Sequence, residues 1–384
     1  MVENIVTYGS LLLSILIIIY AHRIFFFFRG LKKLSPGTAT EQVPVTIIIP
    51  ARNEEKNIER CLFSLLNQHY PQEKLSIIVI DDQSTDATAE IVRRIAQRSP
   101  IPVLLVATSE FTDITSPKIR ALAHGMQHAS GSIILTTDAD CIAPKKWVTS
   151  VMSYFDANVG VVTGLTVFEK NKNQHRLFWG IQFLDFLSYT AIAAGAIGWE
   201  RMLISNGSNM AFRREAFETE GGFESLKHIN SGDDSLLAQK ITHSRRWRPR
   251  FALSPESTII TQPAMSFREM LHQRLRWVGQ TAYYPPYMML FMIATFVMFV
   301  TLTIMLPLTL IQMNIVPWIV VIVKFLMDYI TMRRFTHLTG TREAMKYFIP
   351  TAVIHIPMIL VATIGGYFFS FEWKDRTMKK ESAS

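Results

Sequence analysis

Two aspartates spaced i, i+2, in Asp138-Ala139-Asp140, end an Ile-Ile-Leu run and are the first residues whose type and spacing could do chemistry. In extended backbone, residues two apart face the same side, so both carboxylates can address one ion. Carboxylate oxygens suit Mg²⁺ or Mn²⁺, and a departing diphosphate gains most from such an ion because negative charge builds on it. The plain alternative is a solvated acidic turn. Asp81-Asp82 closes another apolar run. A carboxylate there can accept a uracil imide proton or a ribose hydroxyl, or it can cap a following helix together with Ser84 and Thr85. Asp233-Asp234 precedes a helix-like stretch, residues 235–241. It can take the proton of an attacking hydroxyl, or it can complement the dipole of that helix. Gln273-Arg274-Leu275-Arg276-Trp277 lies on an amphipathic segment, residues 266–280. Its Arg and Trp side chains suit membrane headgroup level, while Arg276 and Trp277 also suit the roof of a site holding a diphosphate or an acceptor. Among the ten His, His124 and His355 read as structural.

These residues need elements to hold them. Near-continuous apolar runs at 45–50, 75–80, 103–106 and 132–137 read as strands. Between them, helical periodicity recurs in Ile58, Cys61, Leu62, Leu65 and Leu66, in Ile91 and Ile95, and in Ile119, Leu122, Ala123 and Met126. Strands that are apolar on both faces and alternate with helices imply a parallel sheet covered on both sides. Ligands of such sheets bind beyond the carboxyl ends of the strands, which here carry Arg52-Asn53-Glu54, Asp81-Asp82 and Asp138-Ala139-Asp140. No glycine-rich dinucleotide fingerprint or Walker loop follows any of the strands, which argues against dehydrogenase and NTPase chemistry. The second half is less regular. It has an aromatic-rich helix over 177–189, a loop at 206–209, and Gly221-Gly222-Phe223 ahead of the Asp233-Asp234 pair.

Hydrophobic residues make up 49% of the 384 and are concentrated at the two ends. Residues 5–28 are long enough to cross a bilayer core of about 30 Å. They lack a basic leader and a small-residue cleavage site, so they read as a retained anchor rather than a signal peptide. Arg29, Lys32 and Lys33 follow at once and put the body on the cytoplasmic side. Further spans are expected at 286–308, 315–332 and 348–369, the middle one carrying Lys324 and Asp328 at pairing distance i, i+4. Three crossings would leave the basic tail (Lys374, Arg376, Lys379, Lys380) on the far side, against the charge rule. The net charge of +8 gathers beside apolar segments, at 29–33, 245–250 and 333–334, which fits anionic lipid headgroups. No nucleic-acid-binding signature accompanies it. Two cysteines, Cys61 and Cys141, support neither a disulfide framework nor a Cys-rich metal site.

Taken in order, these motifs resemble the membrane-integrated, processive-type branch of the family 2 glycosyltransferases, which includes cellulose, hyaluronan and poly-N-acetylglucosamine synthases and ceramide glucosyltransferases. The resemblance rests on Pro50-Ala51-Arg52-Asn53-Glu54, Asp81-Asp82-Gln83-Ser84-Thr85-Asp86, Lys118, Asp138-Ala139-Asp140, Asp233-Asp234 and Gln273 through Trp277. It departs from the family pattern at Pro117, where Gly is usual, and at Asp233, where Glu is usual. It implies an α/β GT-A, Rossmann-like domain with flanking transmembrane helices. Its parts would be an anchor at 1–30, a cytoplasmic catalytic domain at 42–262, an interfacial segment at 263–284, and a membrane region with basic tail at 285–384. It further implies that Ala51, Glu54, Asp82, Lys118 and Asp138 contact a uridine diphosphate moiety. Asp140, with Asp138, would hold Mg²⁺ or Mn²⁺, and Asp234 would be the catalytic base. Asp233, Gln273, Arg276 and Trp277 would serve the acceptor and diphosphate. The expected partners are a nucleotide-sugar, a lipid or glycan acceptor and membrane lipids, in a bacterial inner membrane and without nucleic acid. A processive polysaccharide synthase and a silent membrane scaffold are the alternatives. A glycoside hydrolase is disfavoured because its two carboxylates need no nucleotide site.

Overall fold

The computed structural model describes residues 2–108, 116–171, 174–226, 233–279, 281, 284–368, 371–373 and 376–378. The chain opens with helix α1 (Val2–Leu31) and then alternates through β1 (Val45–Ala51), α2 (Ile58–Leu66), β2 (Leu75–Asp81), α3 (Thr88–Ala96), β3 (Val103–Ala107), α4 (Pro117–His128) and β4 (Ile133–Thr136). There follow α5 (Trp147–Met152), β5 (Val159–Gly164), β6 (Thr166–Phe168), α6 (Arg176–Ile197), β7 (Met210–Arg213), α7 (Arg214–Thr219), α8 (Asp233–Ile241), β8 (Arg248–Ala252) and β9 (Ile259–Thr261). Helices α9 (Phe267–Gly279), α10 (Pro286–Gln312), α11 (Val316–Leu338) and α12 (Phe348–Phe368) end the helical part, before the short strands β10 (Phe371–Trp373) and β11 (Arg376–Met378).

Seven strands form one sheet in the order β3-β2-β1-β4-β7-β5-β8. The first four pair in parallel, as the alternating pattern predicts. Strand β7 enters antiparallel between β4 and β5, so the sheet is mixed rather than wholly parallel. The apolar runs are continuous because both faces are buried. Ile48, Ile78, Ile80 and Ile134 pack with α4 and α6 on one face. Ile47, Ile49, Ile77, Val79 and Leu135 pack with α2, α3 and α5 on the other. Each such side chain removed from water contributes about 1.5–3 kcal/mol. Chain order reverses at β1, which has β2 on one side and β4 on the other, so a crevice opens where these strands end.

Among the described residues, four helices are long and apolar enough to cross a membrane: Glu3–Leu31, Arg176–Ile197, Pro286–Thr309 and Arg342–Gly366. The second lies in α6, is mostly buried within the protein and forms part of the body, as its aromatic pattern suggests. The expected span at 315–332 falls on α11 and its N-cap Ile315, and the charges of α11 keep it out of that set. Its Lys324 is 1% exposed and pairs with Asp328 at 2.8 Å, the predicted i, i+4 contact. Tyr20 of α1 donates its hydroxyl to the other oxygen of Asp328 at 2.6 Å. Helices α1, α10 and α11 thus share an apolar core with one internal ion pair. The basic stretch at 245–250 is partly spent on internal contacts. Arg246 pairs with Glu215, Arg248 with Asp156 and Glu200, and Arg250 donates to Ser35.

Candidate active site

The loops after β1 and β2 are zipped together. Asn53 and Gln83 both take left-handed backbone (φ 51° and 60°). Asn53 N–H donates to Ser84 Oγ at 3.0 Å, and its side-chain oxygen accepts from Thr85 N–H at 2.9 Å. Arg52 donates to the Asp82 carbonyl at 2.7 Å. The two aspartates after β2 divide the roles that the sequence left open. Asp81 accepts from Ser84 N–H and serves the turn. Asp82, buried, accepts from Thr108 Oγ1 at 2.9 Å and pairs with Arg120 at 2.8 Å, lining the crevice. Asp86, rather than Ser84 or Thr85, accepts from the N–H of Thr88, the first residue of α3, and from that of Glu55.

Beyond β4 the acids converge. Lys118, near the start of α4, lies 2.9 Å from Asp234 Oδ2 and 3.3 Å from Asp138 Oδ1, so one ammonium joins two carboxylates from distant parts of the chain. Asp234 Oδ1 is buried and has no hydrogen-bond partner among the described residues. Gly207 passes so close that a Cβ there would lie 2.0 Å from Asp234 Oδ2. Thr136 at the end of β4 fixes that loop by donating to the Gly207 carbonyl at 2.8 Å. Asp140 accepts from Thr261 Oγ1 at 3.1 Å. Burial, then the charges of Asp138 and Glu54, push its carboxyl above the usual carboxylate range.

One ligand atom from each of Asp138, Asp140 and Cys141 falls within 4.8 Å of the others. Burial and the two neighbouring carboxylates push the Cys141 thiol well up, and the two carboxylates are the hard donors of the set. Two hard oxygens beside a carboxyl that is costly to ionise fit a divalent cation such as Mg²⁺ or Mn²⁺.

A third cluster stands on α6 and α9. Trp277 packs edge-on to Tyr189 at 5.3 Å and lies 5.9 Å from Phe186. The Arg274 guanidinium carbon lies 4.1 Å from the Trp277 ring centre. Arg274 Nε donates to the fully buried Asp185 at 2.7 Å, and His355 Nδ1 of α12 lies 3.4 Å from the other oxygen of Asp185. The Gln273 side-chain oxygen accepts from Arg274 at 3.3 Å. Asp233 begins α8, but its side chain lies outside the described residues, as do Gln280 and the side chains of the basic tail.

One cavity of about 1010 Å³ joins all of this. Ala51, Glu54, Asp82, Lys118, Asp138, Asp140 and Asp234 line its polar end, and Gln273, Arg276 and Trp277 line its middle. Its far end runs among Met288, Phe291, Met292, Phe296, Met358 and Ala362 of α10 and α12. Every predicted site residue whose side chain is described therefore faces one space. Pattern reading passed over Asp185, Arg274 and Gly207. A lone acid on an aromatic helix, the second residue of Gln-Arg-Leu-Arg-Trp and a glycine in a polar loop carry no spacing signal, and only tertiary contact gives them meaning.

A family model described as glycosyl transferase family 21 matches residues 9–379. The chain belongs to that family. The family number is thus 21, where the motif resemblance implied 2, and the assignment as a glycosyltransferase stands. This family 21 chain is 26% identical over 242 residues to a Bacillus subtilis protein named "Probable glycosyltransferase YdaM", covering 62% of this chain and 55% of that one. It is 27% identical over 242 residues to the "Beta-monoglucosyldiacylglycerol synthase" of Synechocystis sp., covering 61% of this chain and 47% of that one. The matched region spans about half the length of these two relatives. Among solved structures it shares the fold of the mannosyltransferase PcManGT from Pyrobaculum calidifontis, solved in complex with GDP-Man and Mn²⁺. The TM-score is 0.61 and the identity 22%, over 96% of this chain and 99% of that one. The body of the family 21 chain is a GT-A fold.

Proposed function

We propose that this glycosyltransferase moves a sugar from a nucleotide-sugar, of the UDP type, to a hydroxyl of a membrane lipid at the cytoplasmic face of a bacterial inner membrane, inverting the anomeric centre. The observation that carries the reading is the continuity of the cavity, which runs from the strand-end acids to an apolar arm between α10 and α12. A soluble acceptor has no use for such an arm, whereas an acyl chain does. The likeness to a protein named as a monoglucosyldiacylglycerol synthase supports the same class of acceptor.

In this reading Ala51, Glu54, Asp82, Lys118 and Asp138 receive the nucleotide diphosphate. Asp138 and Asp140 hold Mg²⁺ or Mn²⁺, which when bound offsets the charge of the leaving diphosphate. Asp234 Oδ1, buried and without a described partner, accepts the proton of the acceptor hydroxyl as the new C1–O bond forms and the C1–O(phosphate) bond breaks. Lys118 and Gly207 fix the orientation of that carboxylate. Asp233, Gln273, Arg276 and Trp277 shape the acceptor end. Purified protein in nanodiscs, given a divalent cation, a nucleotide-sugar panel and lipid acceptors, is expected to release nucleotide and yield a lipid carrying one added sugar. Asp140→Ala and Asp234→Asn should each lose at least about 100-fold. Undiminished turnover in Asp234→Asn removes the base, turnover unaffected by a chelator removes the metal, and a ladder of products replaces lipid glycosylation by polymerisation.

The contacts of α12 also support a topology. It begins where Tyr347 meets Trp179 and Gly180 of α6, and it ends with Gly366 against Leu275 and Val278 of α9. Both ends therefore lie on the side of the body, and α12 lies along the membrane face while α1, α10 and α11 cross. The basic tail then shares the side of the catalytic body, in keeping with the charge rule. A C-terminal reporter should score cytoplasmic, and one scoring external would refute this path.

A further inference from the structure

Arg274 and Asp185 form an ion pair in which the side chains are 2% and 0% exposed. Neither has been given a role in the transfer chemistry, and burying two charges is costly unless geometry rewards it. Here the reward is placement. Asp185 receives Arg274 Nε at 2.7 Å and so sets the plane of the guanidinium. The guanidinium carbon lies over the Trp277 ring at 4.1 Å, and Tyr189 packs edge-on to the indole at 5.3 Å. Trp277 in turn faces the cavity between its polar end and its apolar arm. His355 touches the second oxygen of Asp185 at 3.4 Å from α12, the helix that walls the arm. One carboxylate thus meets the helix carrying Trp277 on one oxygen and the helix lining the arm on the other.

We propose that Asp185 is a positioning residue that acts through Arg274 to hold the Trp277 ring at the mouth of the apolar arm, and that it thereby sets acceptor recognition without serving the donor. A lysine cannot replace Arg274, because an ammonium has no plane to lay on the indole. The assignment rests on the lipid-acceptor reading above, and two readouts keep the two apart.

The first readout needs no catalysis. The fluorescence of Trp277, taken as full-length protein minus Trp277→Phe in nanodiscs, should become at least about twofold more quenchable by acrylamide in Asp185→Asn and in Arg274→Lys. Unchanged quenching in both overturns the proposal, whether or not the protein transfers sugar. The second readout is kinetic. Asp185→Asn should raise acceptor KM about tenfold or more while donor KM and nucleotide release to water stay within twofold. Asp185→Asn with Arg274→Gln removes both charges, so neither is left buried alone and the thermal midpoint should recover toward that of the unsubstituted protein. Acceptor KM should stay high. Recovery of acceptor KM together with the midpoint, or an equal rise in donor KM, would show a merely structural pair and overturn the proposal. An inactive unsubstituted protein that passes the quenching test would refute the lipid-acceptor reading alone.

Discussion

Lys118 joins Asp138, 20 positions further along the chain, to Asp234, 116 positions further along. Asp140 stands close by with no ion pair among the described residues, and its ionised form is disfavoured by burial and by Asp138 and Glu54. A carboxyl whose folded-state pKa is raised costs stability at every pH where it is ionised, and the cost falls away as pH drops through that raised value. Asp140→Asn removes the charge and keeps the shape. Without divalent cation it should therefore raise the stability of the protein, by about 1 kcal/mol, while abolishing transfer. Thermal unfolding in nanodiscs with chelator present checks the direction, and a lowered midpoint would contradict it. Added Mn²⁺ should stabilise the unsubstituted protein and do little for Asp140→Asn, because an ion stabilises only the fold that binds it.

At the scale of elements, the parallel half of the body was readable because its strands are near-continuous apolar runs and three of the four, β1, β2 and β4, lead into acids. Strand β7 was not. Met210-Ala211-Phe212-Arg213 is too short and too mixed to signal an antiparallel insertion between β4 and β5. The docking of α1 was hidden for a similar reason, since it depends on glycines that show no pattern in sequence. A Cβ on Gly198 would fall 2.0 Å from the carbonyl oxygen of Gly30, and one on Gly195 would fall 2.6 Å from that of Phe27. Backbone therefore touches backbone where α1 and α6 end, with Trp199 donating to the Phe26 carbonyl at 2.9 Å. Lys33 lies over the Trp199 ring at 3.7 Å, so the basic cluster read as an orientation signal also packs. Gly195→Val should force the helices apart and lower stability by about 2–4 kcal/mol, as overpacked cores do. The check is a fall in thermal midpoint with faster proteolysis near residue 35. A normal midpoint would mean that the contact is not needed.

At the scale of the molecule, the sequence separated a soluble body from membrane segments, whereas the cavity ignores that division. Its polar end belongs to the sheet, its middle to α9, and its arm to α10 and α12. In the reading proposed above, donor and acceptor thus sit on different parts of the molecule, and a substitution in the arm should affect one substrate alone. Met292 is partly buried and lines the arm away from the acids. Met292→Trp adds a rigid ring to that space at a position on α10 rather than on the body that carries the acids. Binding of the nucleotide-sugar, followed by calorimetry in nanodiscs, should stay within about twofold. Transfer to a lipid with two long chains should fall at least about tenfold, a loss of some 1.4 kcal/mol. Transfer to a short-chain analogue should fall less, since it needs less of the arm. Equal losses for the two acceptors would mean that the arm does not hold acyl chains, and weakened donor binding would mean that the cavity does not divide its substrates in this way.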